Sequence, residues 1–132
     1  MRHEMPFAEL RIQPVPSPRQ SAHIAAAVTD ALEQVAGKRR EVTAVRIDAG
    51  EAESWTIAGE ACAGTTAYVD VKITQGTNSR EEKAGLIASL NRILRDTLGE
   101  LAEASYIVIH ELPAESWGYG GLSQAARAGG KR

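Results

Sequence analysis

Ala114-Glu115-Ser116-Trp117-Gly118-Tyr119-Gly120-Gly121 opens with four residues that have already occurred as Ala52-Glu53-Ser54-Trp55. From Trp55 to Trp117 the interval is 62 positions, and at that interval Ser17 falls on Ser79, Gly37 on Gly99, Val45 on Ile107, Ile47 on Ile109 and Gly59 on Gly121. The chain is one unit written twice. The period is too long for a solenoid repeat and only two copies occur, which points to a pseudo-twofold domain made by duplication. Chemistry is then to be sought where the copies differ.

Outward from this repeat, each copy reads strand, helix, strand. Phe7-Ala8-Glu9-Leu10-Arg11-Ile12 alternates, with Ala8, Leu10 and Ile12 on one face. Pro14 and Pro16 break the strand, and Ser17-Pro18-Arg19-Gln20 then supplies an N-cap serine, a first-turn proline and a glutamine placed for a capping box. Ile24, Val28, Ala31, Leu32 and Val35 recur at helical spacing, Gly37 ends the helix, and Lys38, Arg39 and Arg40 follow where the helix dipole favours cations. Val42 to Asp48 alternates again, and a helix of this length predicts that the strands flanking it are parallel. Residues 48–65 read as a loop with a short hairpin around Trp55.

The second copy repeats the plan. Val69, Val71 and Ile73 alternate with Tyr68, Asp70 and Lys72, and Ser79 with Glu82 makes a capping box. Leu86, Ile87, Leu90, Ile93, Leu94 and Leu98 form a wider apolar stripe than that of the first helix, which predicts the larger share of the core, and Gly99 closes it. Ser105 to Glu111 is the fourth strand. Trp117 to Gly121 holds too much glycine for a strand interior and reads as a tight hairpin whose backbone approaches something closely. Residues 122–132 read as a flexible tail. The expected fold is α/β (α+β): two tandem β-α-β units, about 6–59 and 67–121, forming one four-stranded sheet with both helices on one face of a single domain over 1–132. The other face would carry Phe7, Glu9, Tyr68, Asp70, Tyr106 and His110, too mixed for a second core and too rich in rings for ordinary surface. Such a face is expected to meet another subunit.

Composition excludes several classes. With 15 basic and 17 acidic residues among 132, there is no long-range field for nucleic acid or an anionic membrane. Strands 6–12 and 67–73 also lack the paired stacking aromatics of an RNA-binding sheet. The single Cys62 cannot form an internal disulfide, and no long apolar run offers a membrane span, so a cytoplasmic protein is expected. His3, His23 and His110 lack partners at metal-ligand spacing, and neither a metal nor a cofactor is expected.

Four stretches together resemble the tautomerase superfamily, which includes 4-oxalocrotonate tautomerase and macrophage migration inhibitory factor: Pro6-Phe7-Ala8-Glu9-Leu10-Arg11-Ile12, Ile73-Thr74-Gln75-Gly76, Glu81-Glu82-Lys83 and Trp117-Gly118-Tyr119-Gly120-Gly121. The resemblance spans about Pro6 to Gly121 and is strongest in the second copy. It implies a homotrimer with helices outside and sheets lining a central barrel. It also implies a proton shift at a carbonyl, run by an amino-terminal proline as general base on a small carboxylic acid, a 2-oxo or 2-hydroxydienoate compound. The chemistry requires a free secondary amine: an ordinary α-amino group titrates at roughly 7.7–8.0, and a pocket that disfavours its ammonium form makes it a base at neutral pH. Pro6 has that amine if the chain starts at Met5 and loses it, which is the expected start; with Met1 to Met5 attached its nitrogen is an amide. The resemblance gives Trp117 the role of an aromatic wall. Its arginines do not carry over, because they fall on Ala44, Tyr106 and Thr77. Tyr106 as a hydrogen-bond donor and Arg46 as a cation are the expected substitutes in substrate binding; Arg11 and Lys72 read as partners for Glu9 and Asp70 across the trimer interior. Two alternatives stay open: a silent trimer serving as scaffold or binding protein, and a ferredoxin-like ligand-sensing dimer.

Overall fold

The computed structural model describes residues 6–50 and 54–128; Met1 to Met5, the Ala52-Glu53 half of the first tetrapeptide and the last four residues lie outside them. The first copy gives β1 (Phe7–Gln13), α1 (Pro18–Gln34), a 3-10 turn (Arg40–Val42), β2 (Ala44–Ala49) and a hairpin of β3 (Thr56–Ile57) and β4 (Glu60–Ala61). The second gives β5 (Thr66–Thr74), α2 (Arg80–Leu98), β6 (Tyr106–Leu112), a hairpin of β7 (Gly118–Tyr119) and β8 (Leu122–Ser123), and α3 (Gln124–Ala128). The main sheet runs β2-β1-β5-β6, parallel within each copy and antiparallel where β1 meets β5.

Both long helices start where local chemistry dictates. Gln20 N donates to Ser17 Oγ at 3.1 Å while Ser17 N donates to Gln20 Oε1 at 2.9 Å. Ser79 and Glu82 repeat the exchange at 3.0 and 2.9 Å, so two otherwise orphaned N–H groups are satisfied at each end. Gly37, with φ 70°, turns the chain out of α1. One sheet face supplies Ala8, Leu10, Ile12, Val69, Val71 and Ile73 to the core, and the helices supply Ile24, Val28, Leu32, Leu86, Leu90 and Leu94. Each large aliphatic buried there contributes about 1.5–3 kcal/mol. The second helix's stripe is narrower than its sequence predicts: Ile87 is 40% exposed, and Ile93 and Leu98 are only partly buried. A helix lying on a sheet buries its i, i+4, i+8 row, here Leu86, Leu90 and Leu94, and its flanks meet the neighbouring helix and solvent.

The register refines the repeat. Phe7 pairs with Ala44, and Tyr68 pairs with Tyr106. The step from β1 to β5 is therefore 61 (7 to 68), while that from β2 to β6 is 62 (44 to 106). The turn after β5 is one residue longer than the turn after β1. Ala67 consequently holds in the second copy the place that Pro6 holds in the first.

The opposite face of the sheet carries three rows, Ala44-Phe7-Lys72-His110, Arg46-Glu9-Asp70-Val108 and Asp48-Arg11-Tyr68-Tyr106. Phe7, Tyr68 and Tyr106 are exposed on it, as the sequence predicts of a face that neither long helix covers. The expectation of a flexible tail from residue 122 needs correction. Leu122 and Ser123 form β8, and α3 docks through Gln124, which is buried, with Gln124 N on the Trp117 carbonyl and Ala125 N on the Ala114 carbonyl, both at 2.8 Å. Polar composition hid this segment because its anchoring is by backbone hydrogen bonds, not by an apolar stripe. Among the described residues no helix is long and apolar enough to cross a membrane.

Candidate active site

The end of the sheet where β1 begins gathers segments from both copies. Pro6 is buried at the head of β1, its carbonyl accepting from Ala44 N at 3.5 Å, and one step beyond the Phe7–Lys72 pair it lies beside Ile73. Because α1 runs back along β1, the chain leaving Gly37 returns to this same end. Lys38 follows and is 2% exposed. Its Nζ donates to Thr77 Oγ1 at 3.0 Å, and Thr77 Oγ1 donates to the Thr74 carbonyl at 2.7 Å. Asn78 ties the turn to the first copy, donating to the Ala36 carbonyl at 2.9 Å and to Glu82 Oε1 at 3.1 Å.

Trp117 reaches this end from the far side of β6. Its indole N–H donates to Thr74 Oγ1 at 3.1 Å, which fixes the ring against the C-terminus of β5. The β7–β8 hairpin holds it there, and Gly118 is required, since a Cβ at that position would overlap the Leu122 carbonyl. Arg127 of α3 secures the hairpin, its guanidinium 3.9 Å from the centroid of the Tyr119 ring and its Nη2 donating to the Tyr119 carbonyl at 2.9 Å. A cavity of about 330 Å³ opens beside Trp117, lined in part by Glu115, Ser116, Gly121 and Ser123.

Of the four residues singled out in the sequence, Pro6 and Trp117 thus share one end of the sheet. The fold does not bring Tyr106 or Arg46 to them within one chain. Tyr106 begins β6 at the opposite end, paired with Tyr68, and is 64% exposed on an edge strand. Arg46 sits midway along the other edge strand, with its Nε 3.0 Å from Asp48 Oδ2. Within one chain Lys72 Nζ lies 3.2 Å from Asp70 Oδ2, and His110 Nδ1 lies 3.1 Å from the other oxygen of that carboxylate. Arg11 makes no such pair with Glu9 among the described residues. Nor do those residues contain a group of three His, Cys, Asp or Glu that could hold a metal ion.

Sequence reasoning missed Lys38. Within Lys38-Arg39-Arg40 it reads as one of three cations completing a helix end, but the fold separates them. Arg39 bonds Glu41 at 3.6 Å. Arg40 bonds Asp30 and Glu33 at 2.8 and 2.9 Å, which raises its pKa above the ordinary guanidinium value. Only Lys38 turns inward. An ammonium taken out of water is costly unless hydrogen bonds and nearby charge compensate it, and the only signal in the sequence is its place directly after the helix-ending glycine.

Comparison with known proteins agrees with this geometry. The model of the Tautomerase enzyme family matches residues 68–127, which includes the Trp117 hairpin and α3. The chain is 35% identical over 60 residues to the probable tautomerase K2 of Dickeya dadantii, covering 46% of this chain and 90% of that protein. It is 36% identical over 58 residues to the probable tautomerase RSp0893 of Ralstonia nicotianae, covering 44% and 81%. Among solved structures, the fused 4-OT Q0, a symmetric trimer, superposes with a TM-score of 0.83 at 25% identity over 92% of this chain and 98% of that one. Pt0534, solved after inactivation by 2-oxo-3-pentynoate, gives 0.84 at 19% identity over 92% and 98%. The MIF-like protein of Entamoeba histolytica gives 0.75 at 19% over 89% and 97%. With the duplicated β-α-β sheet, the buried proline at the head of β1 and the tryptophan hairpin at the same end, the chain belongs to the tautomerase superfamily.

Proposed function

We propose that the protein is a tautomerase that moves a proton at the carbon beside a carbonyl in a small 2-oxo or 2-hydroxydienoate acid, with Pro6 as the general base once it is the first residue of the mature chain. The observation that carries this reading is the convergence on one end of the sheet of buried Pro6, buried Lys38 on Thr77, and Trp117 on Thr74. A secondary amine buried among apolar strand residues is disfavoured as an ammonium, which favours its free-base form. It can then take a proton from the substrate and return it at another carbon. Lys38 supplies a cation for the substrate carboxylate or for the enolate oxygen that forms as the proton leaves, and the Trp117 ring walls the substrate off from water.

The reading includes a homotrimer. The open face joins exposed rings to paired charges, and the edge strands β2 and β6 present Arg46 and Tyr106 outward, so each can complete a Pro6 end only from a neighbouring copy. Sedimentation of the purified protein as a trimer is the expected outcome; a stable monomer removes Arg46 and Tyr106 from the site.

The experiment that decides the chemistry compares a chain beginning at Pro6 with one retaining Met1 to Met5, using phenylenolpyruvate as substrate and 2-oxo-3-pentynoate as a covalent probe of the amine. Acylating the nitrogen draws its lone pair into the peptide bond, so the extended form loses the base while the pocket stays intact. A drop of about 10²–10⁴ in rate is expected, with labelling confined to the processed form. Equal turnover by both forms overturns the proline mechanism. The silent-trimer reading is favoured by one observation, that the nitrogen of Pro6 is an amide whenever Met5 precedes it, and it takes over if neither form turns over any oxo acid.

A further inference from the structure

The other end of the sheet, related to the first by the pseudo-twofold, holds a cavity of about 450 Å³ lined by Arg11, Ala49, Gly50, Ser54, Trp55 and Tyr68. We propose that this cavity is a second binding site, which takes a small carboxylate with a flat aromatic or conjugated body and holds it without chemical change. Its volume is in the range of small-molecule sites.

The cation is in place and uncommitted. Arg11 makes no hydrogen bond or ion pair among the described residues, whereas the other cations on this sheet face are engaged, Arg46 with Asp48 and Lys72 with Asp70. Asp48 is the acid next to Arg11 in its row, and both of its carboxylate oxygens already accept from Arg46 Nε, at 3.0 and 3.3 Å. The Arg11 fork is thus left for an outside carboxylate, whose two oxygens match its parallel donors.

The rings are held in place as well. Trp55 lies against Gly50 so closely that a Cβ there would overlap its six-membered ring. Its carbonyl accepts from Cys62 N at 3.0 Å, and Gln13 Nε2 braces the adjoining loop through the Gly64 carbonyl at 3.0 Å. Tyr68 is the direct cross-strand partner of Arg11. A flat acid bound to the guanidinium would therefore lie along the Trp55 and Tyr68 rings.

What this end lacks is the base. Ala67 stands where Pro6 stands in the first copy, and its backbone N–H donates to Ser105 Oγ at 3.3 Å. A bound acid meets a cation and two rings but no amine, so the site binds and does not catalyse. This reading does not depend on the chemistry assigned to Pro6.

The test uses the assembled full chain with Trp117→Phe, so that fluorescence reports Trp55 alone, titrated with benzoate and, separately, with uncharged benzamide. Benzoate is expected to change Trp55 emission saturably and benzamide to leave it unchanged. Arg11→Gln should weaken benzoate binding about tenfold or more, as for loss of a charged hydrogen-bond partner, while Arg11→Lys keeps the charge without the fork and should fall between. Arg11 is exposed on its strand within one chain, so neither variant threatens folding of the subunit, and sedimentation of each checks that the assembly is kept. No saturable change at Trp55, equal affinity in Arg11→Gln, or an equal response to benzamide overturns the proposal.

Discussion

At one end of the sheet Trp117 donates its indole N–H to Thr74 and shares the candidate site with Pro6 and the buried Lys38; at the other Trp55 packs on Gly50 and lines a cavity with Arg11, which has no hydrogen bond or ion pair among the described residues. Both ends descend from the same strand-helix-strand-hairpin unit, and both keep its tryptophan. They differ in the residue at the head of the inner strand, Pro6 against Ala67, and in where the cation comes from. At the Pro6 end it arrives from the helix side, after Gly37, whereas at the Trp55 end it projects from the sheet itself. On the proposed function, duplication lets one copy of a site keep its walls while its chemistry changes, because the walls belong to the hairpin and the proposed base belongs to a strand terminus.

Three pairs of substitutions sharpen this contrast. The largest effect is expected from Lys38→Met in the processed protein, where kcat/KM should fall about 10²-fold, as for removal of one electrostatic stabiliser. Lys72→Met, which removes an equally charged residue from the open face, should leave turnover within about twofold. Equal losses in the two variants would erase the distinction drawn for Lys38.

Next come the paired glycines. Gly118→Ala must displace the backbone at Leu122, and Gly50→Ala must displace the Trp55 ring; each should cost about 1–3 kcal/mol in denaturant titrations, as overpacking does. Only Gly118→Ala should also lower turnover, since only its hairpin carries Trp117. If Gly50→Ala lowers turnover as much, the two ends are not independent.

The smallest effect separates the tryptophans. Trp117→Phe keeps a ring but loses the hydrogen bond to Thr74, worth about 0.5–1.5 kcal/mol net, so KM or kcat should change by about two- to tenfold. Trp55→Phe should leave tautomerase kinetics unaltered. Steady-state assays of the two variants side by side show whether the ends differ in this way.

Much of this molecule is legible in its residues because the signals are local. A serine with a glutamine or glutamate three positions on, a glycine at a helix end and apolar residues at period two or 3.6 act within a few residues of themselves, so both capping boxes and all four sheet strands follow directly from sequence. The candidate site is less legible. Pro6 and Trp117 are readable as a pair only through the resemblance, since 111 positions separate them, from 6 to 117. Tyr106 and Arg46 have plausible chemistry but lie along strands that carry them away from Pro6. The polar run after Gly121 conceals a docked helix because Gln124 and Ala125 are fixed by main-chain bonds to Trp117 and Ala114.

By itself, then, the sequence determines the duplication, the order of strands and helices, the side of each strand that enters the core and the mixed character of the face left open, because each depends on period and on short-range hydrogen bonding. Tertiary structure alone decides that Lys38 is buried while Arg39 and Arg40 are not, that the turn after β5 is one residue longer so that Ala67 replaces Pro6, and that Arg11 is left without a partner among the described residues. These depend on which segments the crossover helices return to the same end of the sheet and on which carboxylate each cation meets there. Such distances are set by packing across the whole fold, and no window of neighbouring residues contains them.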